Sequence, residues 1–394
     1  MKRMSMFFAV FTLVFAACKA PGSISIPITV TFNGNGHTGG MVVPSALLGP
    51  AGLPMPMPVQ GSLVKTAYTF RGWNTQPNGS GTDYIAGGSY SFAADTTLYA
   101  KWKIDWTGID GTASAFGTTI ILGIAYGDGK FVAAGYNGKM AWSGNGVTWT
   151  GIDTTSTFNG SYIYGIAYGN GKFVAVGWDG KMAWSADGVT WTGIDTTSTF
   201  GPSRIYGIAW GGGKFVAVGE DDKMAWSADG VTWNAVDTSA LGLIARGIAW
   251  GGGKFVAAGY DGKMAWSTDG EMWNAVGTST FGTSLINGIA YGGGKFVAVG
   301  WDGKMAWSGN GETWNAVGTS TFGTSVIMGI AWGGGKFVAV GYDGKMAYSS
   351  NGVTWTGIDG TASTFGTGIM GIAYGGGKFV AVGSDGTMAY HEYP

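Results

Sequence analysis

Few residues in this chain can do chemistry, and their arrangement narrows what the protein does. Only His37 and His391 are present, and Cys18 is the single cysteine. That set assembles no zinc cluster and no Cys-His nucleophile pair, and no Asp-x-Asp-x-Asp loop offers a calcium cage. Gly-Gly-Gly-Lys, as at Gly251 to Lys254, has the outline of a phosphate cradle. A P-loop, however, needs a longer loop that feeds a helix, whereas this short turn feeds the strand-like run Phe255 to Ala258. It recurs in every repeat, with Asp128 or Asn170 replacing a Gly in the first two, which marks it as a hairpin. Arg204 and Arg246 could grip a carboxylate together. Glu220-Asp221-Asp222 supplies carboxylates, but neighbours on one turn do not by themselves flank a glycosidic bond at the required separation. The expectation is a protein with no catalytic residues, no metal and no cofactor.

The elements that must position these residues are written seven times. Gly123-Ile124-Ala125 returns at Gly165, Gly207, Gly247, Gly288, Gly329 and Gly371, at spacings of 42, 42, 40, 41, 41 and 42. A period near forty points to a propeller or a solenoid. Each block divides into four short runs rich in Val, Ile, Phe, Trp and Thr, separated by Gly-rich turns. In the second block these are Ile163 to Tyr168, Lys172 to Val176, Lys181 to Ser185 and Val189 to Thr192. The connections between them are hairpin chemistry, because Gly and Asn accept the positive φ that tight turns require. Seven four-stranded antiparallel sheets around an axis make a β-propeller. The seventh block ends after its third run, and the missing fourth lies ahead of the first block, at Asp105 to Asp110, which matches Thr148 to Asp153. The expected fold is an all-β, seven-bladed β-propeller at 104–394, closed by an N-terminal strand that leaves no open edge.

Differences between the blocks single out one end. The residue before Gly-Ile-Ala runs Leu122, Tyr164, Tyr206, Arg246, Asn287, Met328 and Met370, and two positions earlier the set is Ile120, Tyr162, Arg204, Ile244, Leu285, Val326 and Gly368. Residues two apart on a strand share a face, so both sets point from the same end of the innermost strands, near the mouth of the central channel. The turn between the second and third strands, at the same end, varies through Tyr136, Trp178, Glu220, Tyr260, Trp301, Tyr342 and Ser384, and carries a rim of lysines at 139, 181, 223, 263, 304 and 345. Exposed aromatic faces with a few polar groups are what a glycan or protein ligand requires. The candidate ligand-binding residues are Tyr162, Tyr164, Trp178, Arg204, Tyr206, Glu220, Arg246, Tyr260, Asn287, Trp301 and Tyr342. Drift between duplicated blocks at unconstrained positions is the bland alternative.

Lys2 and Arg3 ahead of the apolar run Met6 to Ala17 read as a secretory leader, too short to span a bilayer comfortably. Phe15-Ala16-Ala17-Cys18 resembles a bacterial lipoprotein lipobox, with Phe15 departing from the usual Leu. The resemblance implies a signal peptide at 1–17, lipidation of Cys18 and attachment to a membrane through lipid alone. A linker at 18–26 follows. The precursor's net charge is −1, with 22 basic and 23 acidic residues, so no basic excess attracts nucleic acid.

Val30-Thr31-Phe32-Asn33-Gly34-Asn35-Gly36, Tyr68-Thr69-Phe70-Arg71-Gly72-Trp73-Asn74, Gly81-Thr82-Asp83-Tyr84 and Thr97-Leu98-Tyr99-Ala100-Lys101-Trp102 resemble the internalin-type B repeat, or Listeria-Bacteroides repeat. That resemblance covers nearly all of 27–103 and implies a small β-grasp-like module serving as spacer or weak contact on bacterial surface proteins. Pro44 to Val59 departs from it and cannot form a regular central strand. Trp73 and Trp102 are expected in the module's core. In the second unit, Ser185-Ala186-Asp187-Gly188-Val189-Thr190-Trp191 and its copies are similar to the Asp-box of bacterial neuraminidase repeats, one residue shorter between Asp and Gly. The resemblance implies a folding motif far from any active site. A sialidase would need three arginines, a Tyr/Glu pair and an acid; beyond the leader only Arg71, Arg204 and Arg246 exist, the first in the other domain.

The reading that follows is an exported, lipid-anchored envelope protein, monomeric, displayed at the outer membrane or cell surface, whose propeller head recognises a glycan or a surface protein without catalysis. A glycoside hydrolase of sialidase type and a scaffold for an envelope complex are the alternatives.

Overall fold

The structure, a computed structural model, describes residues 26–66, 68–77, 79, 81–109, 115–238, 241–277, 279–318, 320–358 and 361–392. The expected leader, Cys18 and all of the linker but its last residue lie outside them. The chain divides into two compact units, Met1–Asp105 and Trp106–Pro394.

In the first unit a five-stranded sheet runs, edge to edge, Ala46–Pro50, Pro27–Asn33, Thr96–Lys103, Thr69–Asn74 and Asp83–Tyr84. Pro27–Asn33 and Thr96–Lys103 lie side by side and parallel, and the other pairs are antiparallel. Period-two alternation buries Ile28, Val30 and Phe32 on one face. Trp73 is buried against Phe32, with ring centroids 4.8 Å apart, and its Nε1 donates to Pro58 O at 2.8 Å. The half-buried Trp102 donates to Gly34 O at 3.0 Å. Both indoles are used by the core, as expected. The Pro-rich insertion contributes only an edge strand to this sheet and a short strand, Pro54–Pro56, that pairs with Ser89–Ser91 in a separate two-stranded sheet. Edges are where the missing proline N–H costs no ladder bond.

The second unit contains, among the described residues, seven four-stranded antiparallel sheets. The second is typical: an inner strand Ile163–Gly169, then Lys172–Gly177, Met182–Ser185 and an outer strand Thr192–Ile194. The outer strand lies later than the run Val189 to Thr192 read from the sequence. The cause is Asp187, whose Oδ1 accepts the amides of Val189 and Thr190 at 2.8 and 2.7 Å, while Ser185 Oγ accepts that of Gly188 at 2.8 Å. Amides captured by side chains cannot join a ladder, so the strand begins only after the turn. Asn145, Asn310 and Asn351 make the same bonds through an amide oxygen.

The last sheet joins Ile369–Gly375, Lys378–Gly383 and Met388–Glu392 to Thr107–Ile109, in the register Met388↔Ile109, Ala389↔Gly108, Tyr390↔Thr107. The strand expected to complete the seventh repeat is the one found there. Cores form between consecutive sheets: Val174, Val176 and Met182 of the second pack with Phe215, Ala217 and Ala225 of the third. Phe131 and Ala133 of the first sheet share a core with Val380, Val382 and Ile109 of the last. Inner strands approach so closely that a Cβ on Gly371 would lie 2.7 Å from Leu122 O, and one on Gly123 would lie 2.9 Å from Tyr164 O.

Candidate functional site

Antiparallel pairing fixes which loops share an end. Trp178 N donates to Tyr162 O at 2.8 Å, so the turn after each second strand sits beside the entry to its inner strand. The Gly-rich hairpins and Ser-x-Asp/Asn-Gly turns occupy the opposite end, where Lys214 Nζ reaches Asp269 O at 3.1 Å. At the variable end each inner strand opens with a β-bulge, as between Ile163 and Gly165. The bulge separates the two variable sets that the sequence places on one face.

The earlier set interleaves with the turns. Tyr162 stacks on Tyr136 of the preceding sheet, at 4.0 Å and 5° between ring planes, and meets Trp178 of its own turn edge-on at 5.6 Å. One sheet on, the Arg204 guanidinium lies 3.6 Å from the Trp178 ring and Nη1 donates to Glu220 Oε1 at 2.9 Å. The later set forms a second tier around the channel. Tyr164 meets Tyr206 at 5.3 Å, and Arg246 lies 4.9 Å from the Tyr206 ring and 5.8 Å from that of Tyr260. Arg246 Nη1 donates to Asn287 Oδ1 at 3.3 Å, and Asn287 Nδ2 donates to Ile327 O at 2.9 Å. Tyr206 links the tiers by donating to Glu220 Oε1 at 2.6 Å.

Burial pushes the Tyr164 phenol well above its usual range, and burial together with the bond to Glu220 pushes Tyr206 up to about 12. Both hydroxyls therefore stay protonated at neutral pH. A cleft of about 300 Å³ opens beside this network, lined by Asn159, Gly160, Ser161, Tyr162, Trp178 and Asp179.

Nine of the eleven expected ligand residues thus form one connected network: Tyr162, Tyr164, Trp178, Arg204, Tyr206, Glu220, Arg246, Tyr260 and Asn287. Trp301 and Tyr342 stand apart from it, 47% and 40% exposed. Two expectations change. Tyr206 is buried, at 8% exposure, because its ring underlies Arg246, so it supports the site from beneath. The lysines are not an open rim: Lys139, Lys181, Lys223, Lys304 and Lys345 each donate to the carbonyl of a buried loop Phe, as Lys181 does to Phe158 O at 2.7 Å, and Lys263 donates to Gly242 O. The network also takes in Tyr136, which its place in the variable turn could have added to the set.

The turn aspartates act as turn formers. Asp179, Asp261, Asp302 and Asp343 all hold φ between 54° and 58°, in the left-handed region that Asp tolerates. Arg71 of the first unit is bound by both carboxylate oxygens of Asp105 at 3.0 Å. Among the described residues no group of three or more His, Cys, Asp or Glu could hold a metal ion. No helix among them is long and apolar enough to cross a membrane.

Residues 29–101 match the family model of the Listeria-Bacteroides repeat domain. A stretch of 50 residues is 46% identical to part of a protein from Evansella cellulosilytica named as a Gly-rich membrane protein; it spans 12% of this chain and 6% of that relative. Among solved structures, YCF48 bound to a D1 peptide is similar with a TM-score of 0.59 at 16% identity, over 73% of this chain and 96% of that one. Virginiamycin B lyase from Staphylococcus aureus is similar at 0.59 and 13% identity, over 74% and 99%. The WD40 β-propeller domain of Doa1 gives 0.54 at 12% identity, over 74% and 97%. At such identities the likeness concerns the fold alone: the chain is all-β and propeller-like.

Proposed function

We propose that this protein is a non-catalytic recognition module: a closed, seven-bladed propeller with Asp-box-like turns, carried on a Listeria-Bacteroides repeat and held to the cell envelope through a lipidated Cys18. It binds a glycan or protein ligand at the end of the propeller that carries the variable turns. The observation that carries the reading is the contrast between the two ends. One end repeats nearly the same Ser-x-Asp/Asn-Gly turn from sheet to sheet, with the same side-chain bonds. The other holds a connected set of aromatic, cationic and acidic residues, with Tyr260, Trp301 and Tyr342 open to solvent. Large aromatic side chains left exposed on the end that also holds the Arg246 guanidinium supply both contact area and orientation for a ligand.

The purified full chain, screened on glycan and peptide arrays beside a variant with Arg246 and Trp301 changed to Ala, tests the reading. Selective binding that disappears in a variant of unchanged melting temperature supports it. Binding that survives both substitutions contradicts it.

One observation favours a second reading, a glycoside hydrolase of sialidase type: Tyr206 donates to Glu220 at 2.6 Å between two arginines. Against it, the phenol is buried and raised to about 12, and Arg204 already occupies Glu220, so neither group is set for nucleophilic attack. Hydrolysis of a fluorogenic sialoside that Tyr206→Phe abolishes would establish this reading in place of the first. A scaffold role in an envelope complex has no separate observation in its favour.

A further inference from the structure

The two halves of the variable end differ in what they leave open. From the first sheet to the third, the aromatic faces are already covered: Tyr162 by Tyr136, and Trp178 by the Arg204 guanidinium at 3.6 Å. Arg204 is itself neutralised by Glu220. A ligand gains little there, because each contact it could make is made already. From the fourth sheet to the sixth, the opposite holds. Tyr260, Trp301 and Tyr342 are 38%, 47% and 40% exposed. The inner-strand residue between the last two is Val326, and the inner tier continues with the half-buried Met328 and Met370.

Arg246 stands where the halves meet. Its guanidinium faces the rings of Tyr206 and Tyr260 and donates to the Asn287 amide oxygen. Among the described residues no carboxylate pairs with it. A half-buried guanidinium held by rings and one amide keeps donors free, in a fork that suits a carboxylate.

Polar groups around the exposed aromatics already have partners within the protein. Lys304 donates to Phe281 O and Ser284 Oγ, which in turn donates to Asp302. Lys345, Ser325 and Asp343 repeat the pattern. A sugar's hydroxyls would have to share groups that these bonds already engage. Apolar side chains need none, and methionines adapt their shape to them.

We infer that the surface from Arg246 across Tyr260, Trp301 and Tyr342 binds a protein segment in which a carboxylate stands beside large apolar side chains. The inference rests on the recognition reading and narrows its ligand to one class. The carboxylate pairs with Arg246, and the apolar side chains cover Trp301 and Tyr342. Both terms are required: charge complementarity sets orientation, and burial of aromatic and thioether surface supplies most of the affinity.

The test uses the purified full chain on an array of peptides in four classes: acidic-apolar, basic-apolar, neutral-apolar and acidic-polar. A glycan array of neutral and acidic sugars is run beside it, and hits are titrated by fluorescence polarisation. The expected result is selection of the acidic-apolar class. Arg246→Ala and Trp301→Ala each weaken it about 10-fold, the scale of one charge-assisted bond or one buried aromatic anchor. Arg246→Lys recovers part of the loss, and Met272→Thr, on an exposed turn at the opposite end, changes nothing. Equal binding of neutral and acidic apolar peptides, indifferent to Arg246→Ala, overturns the carboxylate assignment. Selection of sugars instead of peptides, with the same dependence on Arg246 and Trp301, overturns the peptide class while leaving the recognition reading standing. Silence of both arrays overturns both.

Discussion

Ile109 lies in the short strand Thr107–Ile109, more than 270 residues ahead of the strand it pairs with, and its side chain is 9% exposed in the core shared by the first and last sheets. Ile358 holds the equivalent place in the sixth sheet, opposite Met346, at 7% exposure, but there the chain runs continuously through all four strands. If Thr107–Ile109 is a full member of its sheet, Ile109→Ala and Ile358→Ala should cost the same. Removing a buried Ile side chain down to Cβ costs about 2–5 kcal/mol, and residual exposure puts both sites near 2.5 kcal/mol. With an unfolding entropy of about 2.1 cal/mol/K per residue, a unit of this size loses about 4 °C in Tm for that change. The assay is thermal unfolding of the full chain and both variants, followed by near-ultraviolet circular dichroism. A drop under 1 °C for Ile109→Ala, with the full drop for Ile358→Ala, would refute the assignment of Thr107–Ile109 as the completing strand.

Acid should weaken the turns that use Asp more than those that use Asn. Asp187 is held down at about 2 by the amides of Thr190 and Val189; burial opposes the shift at Asp229, but the amides of Thr232 and Val231 still hold it at about 2. Each folded pKa lies below its unfolded value near 4, so the stabilisation is complete above about pH 4 and is lost as pH falls through about 2. Asp187→Asn with Asp229→Asn should therefore reduce the fall in Tm between pH 4 and pH 2, as measured by scanning calorimetry at both values. Lys181→Met keeps the aliphatic stem and removes one of the two donors to Phe158 O, which retains the Ser161 amide, and should cost about 0.5–1.5 kcal/mol by urea unfolding. Gly211→Ala would put a methyl 1.9 Å from Trp250 Cγ, a ring already packed at 4.6 Å on Phe255. Overpacking there should cost at least about 1–3 kcal/mol and shows as a lower denaturation midpoint.

The repeat, the four-strand division and the completing strand at Thr107–Ile109 could all be read from spacing and residue type, because alternation and Gly-rich turns are local signals. The start of the outer strand could not. Val189 and Thr190 have strand-forming side chains, but their amides go to Asp187, and a side-chain capture of two amides leaves no trace in propensity. The variable end was legible as a set of positions and not as a set of contacts. Arg204 and Glu220, 16 residues apart, meet only when the first two strands of their own sheet pair, and Trp178 belongs to the preceding repeat, so its stack with Arg204 exists only once neighbouring sheets are side by side. The bulge at Ile163 to Gly165 then splits into two tiers what simple alternation puts on one face. The lysines misled for a related reason: Lys181 meets the carbonyl of Phe158, 23 residues earlier in a buried loop, which spacing alone does not suggest.

If one end of the propeller-like unit is the recognition surface, its two ends must respond differently to substitution when one ligand is bound. A ligand selected on the arrays is titrated against the full chain, Trp301→Ala and Met272→Thr, with melting temperatures taken alongside. A recognition surface at the variable end gives about a 10-fold weaker Kd for Trp301→Ala, no change for Met272→Thr, and folded protein in every case. Unchanged affinity for Trp301→Ala, or a loss confined to Met272→Thr, would contradict it.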